Sequence, residues 1–345
     1  MRLLGSVILA ISLLLAGVVQ ADELLAAARA RFQPIPLKPP ALPGNPATAA
    51  KVELGKMLYF DPRVSASRPG SCNACHNVGL GGADATETAL GHSWQKGGRN
   101  TPTLFNAVFN TARFWDGRAQ DLEDKAGAPP FNPIELALPQ GQLSDQLAAI
   151  PGYRAAFTAA FPGEPAPVTL ANAQKAVAVF QATLITPNAP FDRYLRGDAS
   201  ALNADQKQGL QLFISKACAE CHNGINLGGT QYAPFGILER PGADLLPRND
   251  KGRFLVTDTV GDQYVFKVPQ LRNVAVTAPY FHSGRASGLA QSVEVMAASQ
   301  IGAPVNAEET AHITAFLASL TGEPPRITYP VLPPGVAAAA AAGGP

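Results

Sequence analysis

The chain has 345 residues, 46% of them hydrophobic, with 27 Lys+Arg against 26 Asp+Glu for a formal charge of +1. That length suits two domains of roughly 150 residues each, and the apolar content excludes both a disordered chain and a small disulfide-stapled module. The near-neutral balance argues against a nucleic-acid-binding face, which needs a basic patch or stripe.

Arg2, the apolar run 3–19 and the small residues of Val19-Gln20-Ala21 read as a secretory signal covering residues 1–21. The alternative is an uncleaved membrane anchor, since the run is near the lower limit for a span. No second apolar run of that kind follows, so the mature chain is expected in the periplasm with no membrane span. Residues 33–47 are proline-rich and should wrap rather than form an element. A helix is expected over 48–60, with Val52, Leu54 and Met57 or Leu58 as its apolar side. The clearest amphipathic helix is 170–184, where Leu170, Ala173, Val177, Phe180 and Leu184 recur at three and four. Pro187 and Pro190 then put a domain boundary near 186. Asn203 and Gln206 form a capping-box pattern leading into a helix that reaches Phe213. Strand signals are sparse, and the best of them, 254–268, suggests a small hairpin. A last helix is expected over 307–320, capped by Asn306 and striped by Ile313, Phe316, Leu317 and Leu320. From Pro324 onward the chain is Pro/Ala/Gly-rich and is expected to hang free. The 32 glycines and 31 prolines fit long loops throughout.

Two landmarks recur in the same order. GKMLYF at 55–60 precedes CNACHNVGLGG at 72–82, and GLQLF at 209–213 precedes CAECHNGINLGG at 218–229. Downstream, PTLFNAVFNTARFWDGRA at 102–119 aligns without a gap on PQLRNVAVTAPYFHSGRA at 269–286, with seven of 18 positions identical. The duplication argues for two related domains, 22–186 and 187–323, followed by a tail at 324–345. Trp115 in the first half stands where His282 stands in the second.

All four cysteines fall in the two C-x-x-C-H motifs: Cys72, Cys75 and His76, then Cys218, Cys221 and His222. This is the attachment pattern of a c-type haem, in which two thiols bond the porphyrin and the adjacent imidazole reaches the iron. A single such motif would also suit a zinc half-site or a redox dithiol. Two motifs in an exported, duplicated chain favour two covalent haems. Few residues remain to complete the iron shells: His92, His282, His312, Met57 and Met296. Met296 follows His222 by 74 positions and is the natural partner of the second iron, where a thioether raises the potential. Met57 and His312 read as ordinary residues of helices. His92, in a glycine-rich stretch, suits a ligand that binds the first iron and later leaves. His282 suits a haem-edge position.

These motifs, together with GHSWQKGGRNTPTLFNAVFN, ATLITPNAPFDRYLRG and LRNVAVTAPYFHSG, resemble the bacterial di-haem cytochrome c peroxidases over roughly residues 40–323. The resemblance implies a mainly α fold of two class I cytochrome c-like haem domains with long loops and little β structure. It implies a low-potential peroxidatic haem on His76 and a high-potential electron-entry haem on His222 and Met296. Trp115 matches the tryptophan between the haems, His92 the blocking ligand and Glu135 the distal acid/base. It further implies Ca2+ held by the Asn100 side chain and the carbonyls of Thr277 and Pro279. A small soluble cytochrome c or blue copper protein would donate electrons to hydrogen peroxide, and the chain would form a homodimer. Two departures stand out: Leu136 follows Glu135 where the family commonly has Met, and Lys125 stands where it often has a distal Gln. The competing readings are a pure di-haem electron carrier and a di-haem oxidase of an organic or protein substrate. Oxidases of that kind share the framework but typically replace a sixth-ligand histidine with tyrosine.

Overall fold

The four expected helices begin at side-chain caps. In the computed structural model, which describes residues 23–66 and 70–335, Thr48 caps Ala49–Phe60 and Thr169 caps Leu170–Ala182. Capping boxes at Asn203/Gln206 and Asn306/Glu309 start Ala204–Ser215 and Ala307–Ala318. Each cap oxygen accepts from the backbone N–H three residues on, satisfying a donor that the helix itself leaves unpaired. The expected signal segment 1–21 and residues 336–345 of the tail lie outside the described residues.

These helices pack as two crossed pairs, Ala49–Phe60 on Leu170–Ala182 and Ala204–Ser215 on Ala307–Ala318. Each crossing turns on a glycine. A Cβ on Gly55 would stand 1.9 Å from the Ala176 carbonyl oxygen, and one on Gly209 would stand 1.9 Å from that of His312. Only glycine permits such an approach of one backbone to another. Leu54, Met57, Leu58, Tyr153, Phe157 and Val177 belong to the core around the first pair. Phe32, Phe191, Leu210, Phe213, Ile313 and Phe316 belong to the core around the second. Met57 is therefore a packing residue, as its helix position suggests.

The backbone repeats at an offset of 167 positions. Asn106 and Asn273 are both left-handed residues preceding a single 3-10 turn, Ala107–Phe109 and Val274–Val276. Phe114 and Phe281 are both left-handed as well, and the bridges Arg113–Ala119 and Tyr280–Ala286 correspond. Two hydrogen bonds between the halves are reciprocal at the same offset. Asn100 N–H donates to the His282 carbonyl and Lys267 N–H to the Trp115 carbonyl, each at 2.8 Å.

Three segments differ from expectation. The proposed hairpin 254–268 does not form. Phe254–Thr257 is one helical turn, and Val265–Lys267 pairs instead with Tyr232–Pro234, antiparallel, with Ala233 opposite Phe266. The other edge of that strand is taken by backbone bonds with residues 251–253, so no edge is left for 254–257, whose Leu255 and Val256 are exposed. This is the one sheet among the described residues, and the fold is otherwise helices and loops. Residues 23–35 precede the first helix pair yet pack on the second: Phe32 meets Phe191 and Phe213, and Ile35 N–H donates to Asp192. The tail does not hang free through residue 335. Tyr329 packs edge-on against Phe60, Leu332 joins the first core, and Arg63 donates to the Pro333 carbonyl at 2.8 Å.

Candidate functional site

Both C-x-x-C-H motifs fold alike. Cys72–Cys75 and Cys218–Cys221 are single helical turns closed by His76 and His222, whose N–H groups bond back to Cys72 and Cys218. Helical spacing of three puts both sulfurs of a motif on one side. All four cysteines are free thiols. Burial pushes the Cys75 thiol up to about 12 and the Cys218 thiol up to about 11. A redox dithiol needs a lowered pKa to expose thiolate, so these pairs do not suit that chemistry. Among the described residues no group of three or more His, Cys, Asp and Glu is placed to hold a metal ion.

The two imidazoles are prepared as ligands. His76 Nδ1 is 3.1 Å from the Pro102 carbonyl and His222 Nδ1 is 3.1 Å from the Leu227 carbonyl. A bond of this kind fixes the tautomer and leaves Nε2 with its lone pair. Burial, joined at His76 by the charge of Lys125, holds both rings below the ordinary histidine pKa. Both are therefore neutral at physiological pH. His222, Cys218, Cys221 and Met296 line one cavity of about 290 Å³. Met296 ends the helix Leu289–Met296 and is followed directly by a π-helical turn, Ala297–Ile301, a distortion frequent at functional sites. The donor set and the apolar cavity fit a haem at this motif.

The first motif gathers the remaining expected residues. Lys125, buried on the short helix Leu122–Gly127, places Nζ 3.2 Å from His76 Nε2. Glu135 acts electrostatically on Cys72, Cys75 and Lys125, and its Oε1 accepts from Asn132 at 2.8 Å. The His92 loop is fastened to the same segment: His92 N–H donates to the carbonyls of Ile134 and Glu135 at 2.9 and 2.8 Å. His92 Nδ1 is buried with no hydrogen-bond partner, as suits a ring made for another ligand. Ser93 and Trp94 beside it both have positive φ, a costly conformation for residues other than glycine. His312 is half-buried near Asp205 and Glu308.

Trp115, which lines the cavity of the second motif, donates from Nε1 to the Asn100 carbonyl at 2.9 Å, and its ring meets His282 edge-on at 6.2 Å. Asn100 Nδ2 donates to the Thr86 carbonyl, leaving Oδ1 available. Asn100, Thr277 and Pro279 line the same cavity, and neither the Thr277 nor the Pro279 carbonyl accepts a backbone hydrogen bond among the described residues. Unpaired neutral oxygens suit Ca2+, which takes six to eight of them in a flexible shell. The residues present therefore fit that ion with water completing the shell.

Sequence reasoning missed the charged frame of this junction. Arg99 bonds Asp116 and Asp250 at 2.6 Å, tying residues from both halves. It also missed Tyr59, whose hydroxyl donates to the His76 carbonyl, and the buried cations Arg113 and Lys267. Only the 167-position alignment offered a pointer, since extending it upstream sets Lys267 opposite Asn100.

A family model described as di-haem cytochrome c peroxidase matches residues 49–200. The chain is 50% identical over 330 residues to cytochrome c551 peroxidase of Pseudomonas aeruginosa, covering 96% of this chain and 94% of the relative. It is 37% identical over 323 residues to the methylamine utilization protein MauG of Methylorubrum extorquens, covering 90% and 88%. A MauG-like protein associated with microbial copper homeostasis shares its structure with a TM-score of 0.75 at 26% identity, over 84% of this chain and 94% of that one. The chain belongs to the bacterial di-haem cytochrome c peroxidase family.

Proposed function

We propose that the protein reduces hydrogen peroxide to water in the periplasm, using two electrons delivered singly by a small cytochrome c or blue copper protein. It is built as two haem domains, about 22–186 and 187–323, a division supported by the 167-position repeat of backbone conformation and reciprocal bonding. Cys72, Cys75 and His76 hold one covalent haem; Cys218, Cys221, His222 and Met296 hold the other. The haems, when bound, supply the one-electron chemistry and the site where peroxide is reduced. Electrons enter on the Met296 side, and Trp115 bridges toward His76. His92 blocks the first site in the oxidised protein and withdraws on reduction. Glu135 takes a proton from peroxide and returns it to the departing oxygen, within a reach of about 2.6–3.2 Å or through one water. Ca2+ on Asn100, Thr277 and Pro279 joins the halves, and the working unit is a homodimer. The observation that carries the reading is the attachment of the His92 loop to the Glu135 backbone, beside the first motif. Moving His92 breaks these backbone bonds, so the blocking ring is coupled to the segment that carries the carboxyl.

Steady-state peroxide turnover with reduced cytochrome c, with and without prereduction, tests this. Strong turnover after reduction and little before is expected; none in either state would sink the proposal in favour of an electron carrier. Glu135→Gln should lower kcat by about 10²–10⁴-fold. His92→Gly should let the oxidised protein bind peroxide, seen as a change in its absorption spectrum, and unchanged latency would remove His92 from the gate.

A further inference from the structure

Arg113 and Lys267 are cations in need of an anion that the protein itself does not offer. Both are more than nine-tenths buried, and both line the junction cavity. Arg113 Nη1 donates to the Asn110 carbonyl, but Nε is buried without a partner. Lys267 Nζ has neither a hydrogen bond nor an ion pair among the described residues. Asp121 is the carboxylate that acts on Arg113, from beyond ion-pair distance, while the charge felt by Lys267 is the repulsion of Arg113 itself. Burial and that repulsion push Lys267 down to about 8, and burial pushes Arg113 down to about 10. Lone buried charges of this kind are strongly unfavourable. A third cation nearby, Lys125, adds to the surplus, for Arg113 acts on it too.

The cavity these residues line is also lined by Cys218, Cys221, His222 and Met296. A haem attached there brings two propionate carboxylates. Lys267 is held toward the junction because its N–H bonds the Trp115 carbonyl at 2.8 Å, and Arg113 precedes Trp115 by two positions. The planar guanidinium, with Nε still free, suits a carboxylate in two-point contact. By the internal repeat Lys267 occupies the place of Asn100, the expected calcium ligand, so each half sets a positive charge or its ligand at the same point of the junction.

We propose that Arg113 and Lys267 are the counter-ions of haem propionate carboxylates where the two halves meet. The assignment rests on the haem reading above. It makes the two cations positioning residues, which would hold the carboxylates of the group and favour its reduced form.

The test uses the full holoprotein carrying Lys267→Met or Arg113→Gln. Lone charges and paired charges respond with opposite sign. Removing an unpaired buried cation relieves repulsion and desolvation and raises the melting temperature; removing one partner of a buried pair strands the other and lowers it. The expected result is a lower melting temperature, a haem midpoint potential shifted downward, and a displaced propionate bending band in the resonance Raman spectrum. Lys267→Arg should restore the band. A propionate band unmoved in both variants overturns the assignment, whatever the stability does. Haem content distinguishes the two failures: two covalent haems with an unmoved band sink the counter-ion assignment alone, whereas protein lacking covalent haem sinks the haem reading and this one with it.

Discussion

Replacing His282 by phenylalanine should flatten the acid limb of the stability profile. The ring stacks on Phe266 with centroids 4.1 Å apart and meets Phe235 and Trp115 edge-on. Burial is the main cause that pushes its pKa down to about 4; Asp250 pulls it up and Arg99 pushes it down. The unfolded chain takes this proton near pH 6.5, while the folded protein resists it to about pH 4. Stability is therefore complete above the unfolded pKa and falls as the pH drops toward the folded one. Between pH 7 and 4.5 the loss from this group is about 2–3 kcal/mol. Urea unfolding of wild type and His282→Phe at both pH values measures it: the drop on acidification should shrink by that amount in the variant. An equal drop in both proteins would remove His282 as its source. At this scale the motif residues were legible because covalent attachment imposes a spacing, C-x-x-C-H, that a reader can match. Arg113, Lys267 and Arg99 were not, because a buried cation has no local pattern and is defined by what the fold brings near it.

Helix starts were legible for a similar reason, since a cap and its third neighbour are local chemistry. The failed hairpin at 254–268 shows the limit. Its apolar residues have the composition of a strand, but strand formation depends on a free edge, and the edges of Val265–Lys267 are taken by the distant Tyr232–Pro234 and by residues 251–253, which leaves none for 254–257. The role of Gly55 and Gly209 was visible only as a repeated letter. Its content is steric: the helix axes approach until carbonyl oxygens of the partner occupy the space of a Cβ. Gly209→Ala tests this. Alanine improves helix propensity by about 1 kcal/mol, yet overpacking of a tight contact costs about 1–3 kcal/mol. Here the obstacle is backbone, which cannot rotate aside, so a net loss of about 2 kcal/mol is expected. Thermal or urea unfolding that shows the variant equal to or firmer than wild type would mean the helices can part without cost.

The two ends of the chain are exchanged between the halves, and this governs how the whole molecule should unfold. Residues 23–35 seal the second core through Phe32, while residues 324–335 cover the first through Ile327, Tyr329 and Leu332. Each core is therefore completed by a segment tethered to the other, and the Arg99 bonds to Asp116 and Asp250 cross between them. Composition misled here: a Pro/Ala-rich stretch looks featureless, but proline fixes an extended backbone at little entropic cost, and apolar residues at 327, 329 and 332 then dock along the helices. Truncating Ile327 and Leu332 together to alanine should lower the unfolding free energy by about 2–3 kcal/mol, from apolar area returned to water. Calorimetry on the holoprotein separates this account from a loosely attached tail. If the tail is part of the first core and the halves are coupled through their exchanged ends, the main transition moves down as a whole and stays single. A transition left in place would mean that the segment contributes nothing. A split into two transitions, the lower one alone displaced, would mean that the tail belongs to the first core but that the exchange of ends does not bind the halves into one cooperative unit.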